Sequence, residues 1–229
     1  VTVKPERESS PVALILIDVI NDLNFPGSTE LLKQALPMAH HLAHLKQRAK
    51  QHGVPCIYVN DNFGQWKSDF RRTISHCAET GSPGAPLVEL LRPANDDYFV
   101  LKPKHSGFYA TTLELLLEYL GVGTLILTGI AANICVLFTA NDAYMRDYKL
   151  CIPTDCVAAN TLADRKYSLA QMKLVLKADT RNSRNIKFGS IAHQGRRSSS
   201  GSASKLVRGK ASRIHEAART SRASSKLGS

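Results

Sequence analysis

The chain is 229 residues long, 43% hydrophobic and 21% charged, which gives room for one α/β domain with a full core. No apolar run approaches the length of a helical membrane span, and the hydrophobic content is too high for a wholly disordered chain. The formal charge of +11 is concentrated rather than spread: residues 181–229 hold 12 of the 30 Lys and Arg but one of the 19 acids, leaving residues 1–180 balanced at 18 of each sign.

Residues 1–10 read as a short extension without the apolar stretch of a signal peptide. From Val12 to Ile17 the sequence VALILI is a continuous apolar run ending in Asp18, the pattern of a strand covered on both faces of a parallel sheet. After the punctuation of Asn24, Pro26, Gly27 and Ser28, residues Thr29 to Gln51 carry Leu31, Leu32, Ala35, Leu42, Leu45 and Ala49 at helical spacing. Pro37 is expected to kink or split that helix. Residues 55–60 (PCIYVN) predict a second strand, and a loop-rich stretch with Trp66, Phe70 and a Gly/Pro cluster at 81–86 leads to a third, Tyr98 to Leu101, ending at Lys102. Thr111 and Glu114 form a capping-box pattern before a helix at Thr112 to Leu120. Strands at Thr124 to Gly129 and Leu150 to Pro153 alternate with helices at Cys135 to Asp147 and Ala163 to Leu176.

Strand and helix alternating in this way predict parallel pairing with right-handed crossovers. The expected fold is a three-layer α/β sandwich, Rossmann-like, with an open, mainly parallel sheet of five or six strands and helices on both faces. The domain occupies residues 11–180. Residues 181–229, rich in Ser and Arg, are expected to be mostly disordered, because one sign of charge and few apolar groups cannot offset chain entropy.

In open α/β sheets ligands bind beyond the carboxyl ends of the strands. Three such ends offer an acid, a cation and a thiol: Asp18, Lys102 and Cys135. At the start of a helix and beside a cation, Cys135 is expected to have its pKa lowered toward neutrality and to attack a carbonyl carbon as thiolate. Asp18 could take the thiol proton and pass it to a leaving amine. Free N–H groups at the helix start, those of Cys135 and of the Ala131 or Ala132 turn, could hold an oxyanion.

The segments ALILIDVINDLNF, YVNDNFGQW, VLKPKHSGFYATTLELLL and LILTGIAANICVLFTANDAYMRDY resemble the isochorismatase-like cysteine hydrolases, the superfamily that includes nicotinamidases, N-carbamoylsarcosine amidohydrolase and isochorismatases. The resemblance spans about residues 11–178. It implies Asp18 as general base, Lys102 as the triad lysine, four residues before Ser106, and Cys135 as nucleophile. It also implies a cis peptide at Ile130–Ala131 that turns the Ala131 N–H, with that of Cys135, into an oxyanion hole. Nicotinamidase-like members carry an Asp-x-His metal motif after the second strand, whereas Asp61, Asn62 and Phe63 stand here, so no metal, no cofactor and no nicotinamidase activity are expected.

Isochorismatases proper cleave a vinyl ether and commonly lack the cysteine, so Cys135 turns the reading toward an amide, carbamoyl or ureide C–N bond. The expected enzyme is an amidohydrolase acting on non-peptide C–N bonds through a thioester that an Asp18-activated water cleaves. Phe25, Trp66, Phe108 and Tyr109 are candidate walls for a small, flat, amide-like substrate, with core packing as the competing reading. The resemblance further implies a homo-oligomer, a dimer or tetramer. Two alternatives stay open: an isochorismatase-type vinyl ether hydrolase, and a non-catalytic binding protein whose basic tail meets nucleic acid or another polyanion.

Five cysteines, an odd number without a Cys-x-x-Cys pair, fit a reducing, cytoplasmic setting and no membrane. His40 and His44 stand one helical turn apart with His41 adjoining, but without a Glu between them or a further ligand in evidence they read as a solvated face. Gly121 and Gly123 precede a strand rather than follow one, which is the wrong order for a dinucleotide fingerprint.

Overall fold

The computed structural model describes residues 10–62, 70–78 and 81–189. Six parallel strands form its sheet: β1 (Val12–Ile17), β2 (Cys56–Asp61), β3 (Tyr98–Lys102), β4 (Thr124–Ile130), β5 (Lys149–Cys151) and β6 (Val157–Ala158). They run in the order β3-β2-β1-β4-β5, with β6 pairing onto the end of β4. The helices are α1 (Ser28–Gln51), α2 (Phe70–Cys77), α3 (Ala85–Leu90), α4 (Leu113–Leu120), α5 (Leu137–Tyr144) and α6 (Leu162–Leu174).

β1 explains why the sheet is covered twice. Successive side chains of a strand point to opposite faces, and here Val12, Leu14 and Leu16 join a core built with α1 and α3, while Ala13, Ile15 and Ile17 join one built with α4, α5 and α6. All six residues are buried, and each large aliphatic among them contributes roughly 1.5–3 kcal/mol by leaving water. A strand flanked on both sides in this way needs an uninterrupted apolar run, and VALILI supplies it.

Several elements differ from expectation. α1 runs unbroken through Pro37, because its buried stripe of Leu31, Ala35, Met38, Ala39, Leu42 and Leu45 holds both halves against the sheet. The stretch read as loop contains α2 and α3, the latter opening with Pro86 in its first turn, where a missing N–H costs nothing. β6 is two residues long, too short to leave a periodic signal. Glu114 does not reach back to cap α4; it pairs with Arg146 at 2.9 Å, and Thr111 Oγ1 alone accepts from the Leu113 N–H.

Packed structure also continues past residue 180. Asp155 accepts from the backbone N–H and the hydroxyl of Ser183 at 2.8 and 2.7 Å, and Arg48 of α1 donates to the Ser183 and Ile186 carbonyls. Ile186 and Phe188 are buried against the α1 side of the core. Two apolar residues amid basic ones give no periodic signal in the sequence. The rest of the basic extension lies outside the described residues.

Candidate active site

β1, β3 and the turn after β4 converge at the carboxyl edge of the sheet. Asp18 follows β1 with a left-handed backbone, φ 51°, a conformation that Asp tolerates better than most residues. Its Oδ2 lies 2.8 Å from Lys102 Nζ, and its Oδ1 accepts from the Asp61 N–H at 2.8 Å. Lys102 ends the edge strand β3. β2 and β1 lie between it and β4, and the fully buried lysine side chain brings its Nζ within 3.6 Å of Cys135 Sγ. Asp61, paired in register with Lys102, adds a second carboxylate at 3.8 Å from the ammonium.

The nucleophile candidate sits in a π turn, Ala132–Val136, that leads into α5. The Ile130–Ala131 peptide before it is cis, as the resemblance implied. Gly129 makes the approach feasible: its φ is +107°, and a Cβ there would fall 2.1 Å from the Ile17 carbonyl oxygen, so β1 and β4 can come together only over a glycine. Thr139 Oγ1 donates to the Cys135 carbonyl at 2.7 Å and accepts from the Gly107 N–H at 3.0 Å, tying the loop after β3 to the turn.

The electrostatics depart from the sequence reading. Burial, followed by the negative charge of Asp18, outweighs the nearby Lys102 and pushes the Cys135 thiol up to about 12. Burial likewise raises Asp18 above the ordinary carboxylate range, although Lys102 opposes it. Burial alone would lower Lys102, but Asp18, Cys135 and Asp61 hold it above its ordinary value. Asp18 is thereby a stronger base than a solvated aspartate, and Cys135 a weaker acid than a solvated thiol.

These groups open into a cleft of about 340 Å³. Asn21 and Phe25 from the loop after β1, Asp61 from β2, His105 from the loop after β3, Ile130, Ala131 and Ile134 around the cis turn, and Asn160 after β6 line it with Asp18 and Cys135. Asn160 Nδ2 donates to the Gly27 carbonyl at 2.9 Å, and the buried Asn60 Nδ2 donates to the Ile20 carbonyl at 2.6 Å, anchoring the loop that carries Phe25.

Among the candidate walls, Phe25 lines the cleft. Phe108 is 6% exposed and belongs to the core, packed on Tyr148 at 5.9 Å with the Arg146 guanidinium over its ring. Tyr109 is 58% exposed and outside the lining. Trp66 lies outside the described residues. His105 went unnoticed in the sequence although it stands three residues after Lys102; its Nδ1 is 3.9 Å from Cys135 Sγ. His40, His41 and His44 are exposed on α1, and the other four cysteines are buried and outside any disulfide. Among the described residues no three His, Cys, Asp or Glu side chains are grouped to hold a metal ion, and no helix is long and apolar enough to cross a membrane.

Residues 12–181 match the isochorismatase domain. The uncharacterized isochorismatase family protein YaaI of Bacillus subtilis is 43% identical over 167 residues, 73% of this chain and 91% of that protein. A probable inactive nicotinamidase of Arabidopsis thaliana, At3g16190, is 30% identical over 172 residues, 70% of this chain and 87% of that one. Among solved structures, N-carbamoylsarcosine amidase from Thermoplasma acidophilum superposes with a TM-score of 0.59 at 26% identity, covering 77% of this chain and 98% of that chain.

Proposed function

The chain belongs to the isochorismatase family, and from that premise we propose that it is a cysteine hydrolase cleaving the C–N bond of a small amide, carbamoyl compound or ureide. One observation carries the reading: Cys135 lines a cleft, its Sγ 3.6 Å from an ammonium that is itself 2.8 Å from Asp18. Asp18 takes the thiol proton as Sγ attacks the carbonyl carbon. Lys102 keeps the charge of the site balanced while that proton moves, and the Ala131 and Cys135 N–H groups hold the developing oxyanion. Asp18 then returns the proton to the departing nitrogen, leaving an acyl thioester on Cys135.

The charge of the cleft supports an uncharged amide over a dianion such as isochorismate. Among the described lining residues the fixed charges are Asp18 and Asp61, and Lys102 is buried behind them. The similarity to an N-carbamoylsarcosine amidase points to the same bond class. Five free thiols suit a reducing cytoplasm, and exposed Phe138, Tyr144 and Met145 along α5 are available to a homo-oligomeric contact.

The test is an ammonia-release screen over small amides, carbamoyl compounds and ureides, run on the intact chain and on Cys135→Ala with mass-spectrometric detection of acyl adducts. Turnover and an adduct that both vanish in the variant are expected. Full activity in Cys135→Ala would refute the reading.

A further inference from the structure

On the hydrolase reading above, Cys135 fixes where the scissile carbonyl sits, and Asp61 meets what lies beyond it. Asp61 ends β2. Side chains alternate along a strand, so Asp61 emerges on the face where Ile57 and Val59 join the core under α4, α5 and α6, the core against which Cys135 also packs. Carboxylate and thiol therefore stand on one side of the sheet, and both residues line the cleft.

One ammonium serves two carboxylates there. Lys102 Nζ lies 2.8 Å from Asp18 and 3.8 Å from Asp61, and the nearer pair is buried while the Asp61 side chain is 36% exposed. None of the other described lining residues is a Lys or Arg. Asn21 Oδ1 accepts from the Leu23 N–H and Asn160 Nδ2 donates to the Gly27 carbonyl, so these two neutral amides brace the backbone beside the cleft. Phe25, Ile130 and Ile134 add apolar wall, which weakens the screening of a nearby charge by water.

We propose that Asp61 is the specificity-determining residue of the cleft, and that the substrate is a small amide or carbamoyl compound carrying a protonated amine rather than a carboxylate. The amine pairs with Asp61 while the scissile carbonyl faces Cys135 Sγ. A carboxylate in the same place would meet Asp61 as a like charge.

Three methanethiosulfonates of similar size, aminoethyl (cationic), propyl (neutral) and sulfonatoethyl (anionic), sense the charge of the cleft at Cys135 without requiring turnover. Modification of Cys135 is followed by peptide mass spectrometry at about pH 8, above the ordinary histidine range, and each rate is divided by that of the same reagent with mercaptoethanol. The cationic reagent should lead the anionic one by about tenfold or more, the scale on which a cleft of one charge sign concentrates its counter-ion. In Asp61→Asn that spread should collapse toward unity, and any change in the thiol itself cancels in the ratio. Equal rates or an anionic lead in the unaltered chain, or an undiminished spread in Asp61→Asn, would overturn the role of Asp61. So would a kcat/KM for succinamate at or above that for β-alaninamide, its cationic counterpart. A cationic lead that depends on Asp61, in a chain whose amide turnover survives Cys135→Ala, would overturn the hydrolase reading and leave the charge preference of the cleft standing.

Discussion

The Lys102 ammonium, fully buried at the end of an edge strand, lies 2.8 Å from the carboxylate of Asp18 two strands away. The ammonium is sealed from water and the carboxylate nearly so, so each makes the other tolerable in the interior. The pair therefore links the stability of the sheet edge to the chemistry of the cleft.

Breaking the pair from one side should be costly. Lys102→Met leaves a buried carboxylate without its cation and is expected to destabilise the fold by about 3–5 kcal/mol. The double variant Asp18→Asn, Lys102→Met should recover most of that loss in urea unfolding. A single variant no less stable than the double would show that the two groups are not energetically coupled.

Asp18 and Cys135 should separate thiol reactivity from catalysis. Behind burial, the Asp18 charge is the largest influence holding the Cys135 thiol up at about 12, and Lys102 pulls it down. Asp18→Asn removes the first and keeps the second, so the thiol pKa should fall, and each unit of that fall raises the thiolate fraction about tenfold. Iodoacetamide should alkylate Cys135 faster in the variant while amide turnover is lost. Slower alkylation would show that Asp18 does not hold the proton on sulfur.

Alkaline pH should weaken the fold. Cys56, Cys135 and Cys151 are each raised from 9.0 to about 12, chiefly by burial. Between about pH 9 and 12 the unfolded chain gives up thiol protons that the folded chain retains, so stability falls as pH rises. Lys102, also held above its ordinary 10.5, acts in the same direction, since the folded state keeps its proton longest. Urea midpoints measured across that window should decline steadily, and a flat profile would contradict the burial of these groups.

Phe188 should matter although it lies beyond the domain end expected from sequence. It is buried, packs near His52 at 5.3 Å and sits under the Arg48 guanidinium. Phe188→Ala is expected to cost about 3–5 kcal/mol, the range for emptying an aromatic site in a core. A change within error of zero in thermal or urea unfolding would place the true edge of the packed body before it.

The sequence by itself determined the layered architecture, because VALILI can be satisfied only by apolar cover on both faces and because strand and helix periods alternate along the chain. It also brought Asp18, Lys102 and Cys135 to one edge, since each ends or follows a strand of a parallel sheet. The tertiary structure decided what periodicity cannot carry. Lys102 reaches its partners across β2 and β1, His105 faces the sulfur, Phe108 turns into the core rather than the cleft, and Ile186 and Phe188 find cover against the α1 side of the core. The direction of the Cys135 pKa belongs to the same class. A helix start and a nearby cation argue for a low value, but desolvation depends on how much protein surrounds the sulfur, and only packing sets that.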